Sequence, residues 1–263
     1  MNQNIKFSKY QGAGNDFILI DNRNGLFDGA NEEFVKHLCD RRFGIGADGL
    51  MLLQDTKKFD FQMVYFNADG REGSMCGNGG RCIVAFARDL GVIKDKTVFL
   101  AVDGEHHASV HQDQVELGMI DVLQVQRDGE AYVLYTGSPH YVTTVGNLAN
   151  LDVYRHGHAI RNNDTYHQEG INVNFVEKEG AGYFLRTFER GVEDETYACG
   201  TGATAAAMAM AIKEGLNGEL EIPVRVLGGQ LYISFQKDGE KFTNVILKGP
   251  ATFVYEGVIA DGR

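Results

Sequence analysis

Cysteine, proline, clustered basic charge and long apolar runs are all scarce in this chain, and each scarcity removes a class of protein. Four cysteines (Cys39, Cys76, Cys82 and Cys199) in 263 residues are too few for a disulfide scaffold. None stands in a Cys-x-x-Cys pair, so a zinc site has no sequence support. No run of Lys or Arg exceeds a pair, and the formal charge is −11, which excludes the electrostatic footprint of a nucleic-acid binder. The longest uncharged apolar stretch, Ala203 to Ile212, is far short of the ~20 residues of a membrane helix. The first fifteen residues lack the apolar core of a signal peptide. A cytoplasmic enzyme with no membrane or nucleic-acid partner is the expectation.

Glycine, by contrast, is abundant: 33 residues in short turn-like clusters. Between them lie short apolar or alternating runs that predict strands. These are Asn4–Lys9, Phe17–Asp21, Leu50–Leu53, Phe61–Phe66, Thr97–Val102, Ala108–His111 and Gln114–Leu117, then Ala131–Tyr135, Tyr141–Val145, Asn172–Val176, Gly182–Phe188, Leu220–Val226, Gln230–Phe235 and Asn244–Leu247. Four segments read as helices: Asn31–Asp40, Gly80–Leu90, Leu148–Arg155 ending at Gly157, and Gly202–Glu214. The second and fourth are apolar or small on every side, as a helix in the middle of a domain must be.

The halves of the chain repeat one another. Met75-Cys76-Gly77-Asn78-Gly79-Gly80 matches Ala198-Cys199-Gly200-Thr201-Gly202-Ala203, and each string follows a strand and opens a buried helix. The expected division is 1–119 plus 251–263 for the domain of Cys76, and 120–250 for the domain of Cys199.

A cysteine at a helix start sits where the first N–H groups lack internal partners and the macrodipole is positive. That environment favours thiolate. The same N–H groups suit an anion such as a carboxylate. Two such sites would supply one proton carrier to each face of a carbon, which is what stereoinversion needs. Cys39 and Cys82 read as small buried hydrophobes.

Other motifs are weaker. Gly44-Ile45-Gly46-Ala47-Asp48-Gly49 matches a dinucleotide fingerprint literally, but it follows a helix end and leads into a strand, the reverse of the required context. Glu189-Arg190 reads equally as a surface ion pair or as a carboxylate-recognising pair. His140 is expected in a tight turn between two strands, and surface solvation accounts for His106, His107, His156, His158 and His167.

Taken together the strings resemble the diaminopimelate epimerase family. The carriers are Gly14-Asn15-Asp16-Phe17, Gly44-Ile45-Gly46-Ala47-Asp48, Phe66-Asn67-Ala68-Asp69-Gly70, Cys76-Gly77-Asn78-Gly79 with Arg81-Cys82, Ser138-Pro139-His140, Ile171-Asn172-Val173, Phe188-Glu189-Arg190-Gly191 and Ala198-Cys199-Gly200-Thr201-Gly202, in the family's order. The resemblance implies an α+β fold of two pseudo-symmetric domains, each a barrel-like mixed β-sheet wrapped around a central α-helix, with the site in the cleft between them. It implies interconversion of LL- and meso-diaminopimelate in lysine biosynthesis, with no metal or pyridoxal phosphate, by a homodimer. Cys76 and Cys199 would be acid and base, flanked by His140 and Glu189. Asn15, Asn67, Asn172, Glu189 and Arg190 would bind the distal amino-carboxylate end of the substrate, and the main chains of Gly77, Asn78, Gly200 and Thr201 the reacting carboxylate.

The chain departs from many relatives at Ser138, where Asn is common, and from some at Gly49, where a substrate-contacting Gln stands. A proline or hydroxyproline racemase shares the cysteine-glycine sites but has no distal group to recognise, and a PhzF-like isomerase would lack the cysteine pair. A non-catalytic carboxylate-binding protein is the reading from another class.

Overall fold

The computed structural model describes residues 4–259 apart from Ser74. The described chain forms two compact units, residues 4–117 with 250–259 and residues 118–249.

In the first unit the strands are β1 (Ile5–Gly12), β2 (Asn15–Asp21), β3 (Gly49–Gln54), β4 (Gln62–Asn67), β5 (Lys96–Ala101), β6 (Gly104–His111) and β7 (Gln114–Gly118), with β17 (Thr252–Ile259) returning from the end of the chain. In the second they are β8 (Gln126–Asp128), β9 (Ala131–Tyr135), β10 (Pro139–Thr144), β11 (Asn172–Glu179), β12 (Gly182–Glu189), β13 (Asp194–Thr196), β14 (Gly218–Val226), β15 (Gly229–Asp238) and β16 (Lys241–Pro250).

The pairing of one unit reproduces that of the other. β17 pairs antiparallel with β1, and β1 with β2; β2 runs parallel to β3, β3 antiparallel to β4, β4 parallel to β5, and β5, β6 and β7 form antiparallel hairpins. The second unit gives β8, β9, β10, β11, β12, β14, β15 and β16 with the same sequence of directions. β13, a short strand added to β12 through Phe188 and Glu195, has as its counterpart the single antiparallel bridge between Phe66 of β4 and Glu72.

Each unit surrounds one helix. α2 (Gly77–Asp89) packs against β1, β2, β3, β6 and β17, and α4 (Gly200–Lys213) against β9, β10, β11, β12, β14 and β15. Contact on every side is why α4 carries Ala, Gly and Met all round and α2 is small or apolar apart from Asn78 and Arg81 in its buried part; residues 77–87 and 202–211 are buried. The fold is the mixed α+β arrangement around a central helix that the family resemblance implies.

The strands beside the helices are covered on both faces, so they read as continuous apolar runs instead of alternating ones. Ile18, Ile20, Leu50 and Leu52 join Val35 and Leu38 of α1 (Glu32–Cys39) in one cluster. Their neighbours Phe17, Leu19, Met51 and Leu53 are equally buried. In the second unit Val173, Phe175, Phe184 and Phe188 pack with Val153 and Ile160 of α3 (Val153–Arg161). Period-two alternation then turns Asn172 and Asn174 to the opposite face.

Two expected features shift. The third helix is not Leu148–Arg155: Leu148–Asn150 is a single 3-10 turn, and α3 starts after the Asp152 cap, whose carboxylate accepts from Arg155 N, and runs through Gly157. Gly157 lies within the helix and is glycine because a Cβ there would come within 2.3 Å of the Phe188 Cβ. His140 is not in the turn; it is the second residue of β10. Among the described residues no helix is long and apolar enough to cross a membrane.

Candidate active site

Both repeated cysteines occupy the N-cap of a central helix. Cys76 (φ −108°, ψ 118°) and Cys199 (φ −117°, ψ 109°) are extended, and neither side chain makes a capping hydrogen bond. The first helical bonds run from Gly80 N to Cys76 O (2.7 Å) and from Ala203 N to Cys199 O (2.9 Å). The N–H groups of the three residues after each cysteine therefore precede the helical ladder and keep their partial positive charge beside the sulfur.

The second glycine of each motif sits in a close approach. A Cβ on Gly79 would lie 2.0 Å from the Met51 Cε, and one on Gly202 would lie 2.5 Å from Asn174 Oδ1 and 3.2 Å from the Cys199 sulfur.

Around Cys76 the partners are amides and one buried cation. Asn15, at the start of β2, places Oδ1 3.8 Å from the Cys76 sulfur and accepts from Asn78 Nδ2 at 3.3 Å, while its own Nδ2 donates to Asp48. Arg81 is fully buried one turn along α2. It donates to Asn78 Oδ1 (3.1 Å), Gly77 O (3.4 Å) and Pro250 O (3.3 Å), all neutral acceptors. The family resemblance includes Arg81, but the sequence gives it no role at the site. Its burial lowers its pKa, because desolvation disfavours the charged form.

Asn67 ends β4 opposite Gly49 on β3, the strand next to that of Asn15. At Gly49 a Cβ would meet Tyr65 Cε2 at 2.5 Å and Phe66 O at 2.6 Å, and the backbone carbonyl is the contact that cannot move aside for a larger residue.

Around Cys199 the partners are hydroxyls and an imidazole. The sulfur is 3.4 Å from Thr201 Oγ1, which is 2.9 Å from His140 Nε2. His140 is fully buried, and burial together with the nearby Arg190 charge pushes its pKa down to about 3. The ring is therefore neutral at ordinary pH. Thr136 Oγ1 donates to Thr201 O at 2.8 Å and holds the first turn of α4.

At the same ends of β10, β11 and β12 lies a polar cluster. Ser138 Oγ accepts from Asn172 Nδ2 (2.9 Å) and Arg190 Nη2 (3.5 Å), and Asn172 Oδ1 accepts from Arg190 N (2.8 Å). The serine at position 138 thus keeps one link to Asn172 and one to Arg190. Arg190 Nη1 also donates to Glu169 O at 2.9 Å, and Glu189 Oε2 accepts from Thr196 Oγ1 at 2.9 Å.

The structure thus gathers Asn15, Cys76, Gly77 and Asn78 in the first unit, with Asn67 on an adjacent strand end. It gathers His140, Cys199, Gly200 and Thr201 in the second, with Asn172, Glu189 and Arg190 at neighbouring strand ends. Asn174 and Tyr65 join these groups without a motif that marks them, and Arg81, part of a family motif, joins them in a role the sequence does not show. A buried Asn at Asn174, inside an otherwise apolar strand, is the one sequence signal that could have found the second group. Among the described residues no three His, Cys, Asp or Glu side chains are grouped to hold a metal ion.

The sequence profile described as diaminopimelate epimerase matches residues 7–123 and 132–254. The chain belongs to the diaminopimelate epimerase family. It is 51% identical over 257 residues to a protein named diaminopimelate epimerase from Flavobacterium psychrophilum, covering 97% of this chain and all of that one. It is 44% identical over 259 residues to the one from Chlorobaculum tepidum, covering 94% and 98%. Among solved structures, a phenazine biosynthesis protein of the PhzF family from Bacillus anthracis superposes with a TM-score of 0.78 at 15% identity, covering 98% of this chain and 99% of that one. A hydroxyproline epimerase from Agrobacterium vitis gives 0.71 at 14% identity, covering 98% and 93%. Those two share the fold. The family's enzymes are epimerases, and this chain is an isomerase of that kind.

Proposed function

We propose that this protein interconverts LL- and meso-diaminopimelate by two-thiol proton transfer, with Cys76 and Cys199 as the proton carriers and no cofactor. The observation that carries the reading is the duplicated half-site: in each unit a cysteine caps a buried helix without using its sulfur as the cap. Inversion at the α carbon needs a thiolate to remove the proton from one face and a thiol to return one to the other. Each turnover leaves the two cysteines with exchanged protonation, and the reverse reaction starts from that state.

The carbanion is stabilised by the α-carboxylate, which the main-chain N–H groups of Gly77, Asn78, Gly200 and Thr201 are suited to hold. Asn15, Asn67, Asn172, Glu189 and Arg190 would read the distal amino-carboxylate end. His140 and Glu189 flank the thiol chemistry, and Asn15 does so at Cys76. The distal group also separates this reading from a proline or hydroxyproline racemase, for which the Arg190, Asn172 and Ser138 cluster would have no ligand group to bind.

The product would feed lysine biosynthesis in the cytoplasm. A homodimer is supported by Val254 and Val258, both more than half exposed on β17.

Incubation with LL-diaminopimelate in deuterated water should place deuterium at the inverted centre, and Cys76→Ala or Cys199→Ala should each abolish epimerisation. Dialysis against a chelator and treatment with a carbonyl reagent should leave turnover intact. Binding without deuterium incorporation would make the protein a carboxylate binder instead.

A further inference from the structure

We propose that Asn174, His140 and Thr201 form a one-way hydrogen-bond chain ending on the Cys199 sulfur, so that the Thr201 hydroxyl donates to the Cys199 thiolate. The chain deepens the two-thiol reading and rests on it for its catalytic meaning. Its geometry stands by itself.

The direction is fixed at Asn174. Its Nδ2 lies 3.0 Å from Tyr141 O and 3.3 Å from Asn172 O, and its Oδ1 lies 3.0 Å from the Thr187 hydroxyl. Carbonyl oxygens only accept, so the nitrogen must face them; reversing the amide would set its oxygen against two carbonyls. The same nitrogen is 3.0 Å from His140 Nδ1. An NH2 group has two hydrogens, and the one not directed to Tyr141 is available to the imidazole. Nδ1 then accepts, and a neutral ring carries its proton on Nε2.

Nε2 donates to Thr201 Oγ1 at 2.9 Å. The hydroxyl oxygen is thereby engaged as an acceptor, while its single hydrogen remains to be placed, and the Cys199 sulfur is 3.4 Å away. Asn174 and His140 are fully buried and Thr187 nearly so, so the bonds among these three are shielded from solvent, while Thr201 is half-buried. Arg190 is the charged group acting on the His140 ring, and its repulsion adds to burial in keeping the ring neutral.

The chain moves no proton from His140: it orients dipoles toward the sulfur. When Cys199 is the thiolate, Thr201 donates to it; when Cys199 is the thiol, the hydroxyl can rotate and its oxygen can accept the S–H. Asn174 is a positioning residue, acting through the tautomer of His140. The first unit solves the same problem differently. Asn78 occupies the place of Thr201, and it donates to Asn15 and accepts from the buried Arg81.

Two measurements test the chain. Long-range proton–nitrogen spectra of histidine-labelled native protein should show His140 as the Nε2–H tautomer, without titration from pH 5 to 8. An Nδ1–H tautomer, or a ring that protonates in that range, would overturn the proposal. Separately, iodoacetamide labelling across pH 5 to 9 with peptide mapping reads each thiol. Thr201→Val should slow Cys199 alkylation about tenfold at pH 7, equivalent to an upward shift of about one pH unit, with Cys76 unchanged as internal control. Thr201→Ser should restore the native profile. KM should stay near native in Thr201→Val while kcat falls, because the main-chain N–H remains. An unaltered Cys199 profile, or equal shifts at both cysteines, would refute the role of Thr201. Labelling reports the thiols whether or not diaminopimelate is the substrate, and the deuterium assay reports the substrate.

Discussion

The four cysteines illustrate how placement alone sorts one residue type into different roles. Burial pushes the Cys39 and Cys82 thiols up to about 12, so both remain protonated and inert at neutral pH. Cys76 and Cys199 instead meet helix N-termini and polar neighbours. His140 carries a consequence for stability. Folding depresses its pKa from 6.5 to about 3, so as pH falls the unfolded chain takes up a proton that the folded one refuses. This contribution is fully present above pH 6.5 and is lost progressively as pH drops from 6.5 toward 3. By pH 4.5 the loss should reach about 3 kcal/mol. Denaturant unfolding at pH 7.5 and 4.5 checks this against His140→Gln, which should show a smaller drop between the two conditions. Equal drops would mean that His140 is protonated in the folded protein.

Elements follow from local pattern where one face or the whole surface is buried, and escape it where packing sets the rule. The strands β1 to β7 and most of β9 to β16 coincide with apolar runs, because burial is what both the pattern and the structure express. β8 and β13 are short and polar, Gln-Arg-Asp and Asp-Glu-Thr, and are held by pairing rather than by burial. β17 is largely exposed and so shows no alternation of burial. Gly157 resembled a helix terminator but serves a close approach to Phe188 inside α3. Gly157→Ala should therefore destabilise the fold by about 1 to 3 kcal/mol, despite the better helix propensity of alanine, since the clash overpacks a buried contact. Thermal unfolding measures this. A gain in stability would place the glycine back at a helix end.

At the scale of the molecule, duplication makes two scaffolds alike and leaves their polar interiors different. β17 in the first unit and β8 in the second stand at equivalent positions of the pairing order, yet β8 has three residues and β17 eight. The longer strand presents Val254, at an irregularity in the pairing with β1, and Val258, both more than half exposed in the isolated chain. If this face supports the proposed homodimer, Val254→Glu with Val258→Glu should shift the protein toward monomer in analytical ultracentrifugation while leaving secondary structure intact. A native protein that sediments as a monomer would remove the dimer from the proposal.

What the sequence determined by itself was the repeat: two Cys-Gly-x-Gly strings, each after a strand and before a mostly apolar helix, are local facts that need no tertiary contact to be read. The α+β class and the family followed from them and from the ordered motifs. Tertiary structure alone decided which polar residues stand behind each thiol. Asn174 is distant in sequence from both Cys199 and Thr187, and only the pairing of β10, β11 and β12 brings it to His140. Arg81 looks like any helix residue until burial leaves its guanidinium on the carbonyl of Gly77 and the amide of Asn78. Hydrogen-bond direction depends on which acceptors surround an amide in space, and adjacency in sequence does not carry that information.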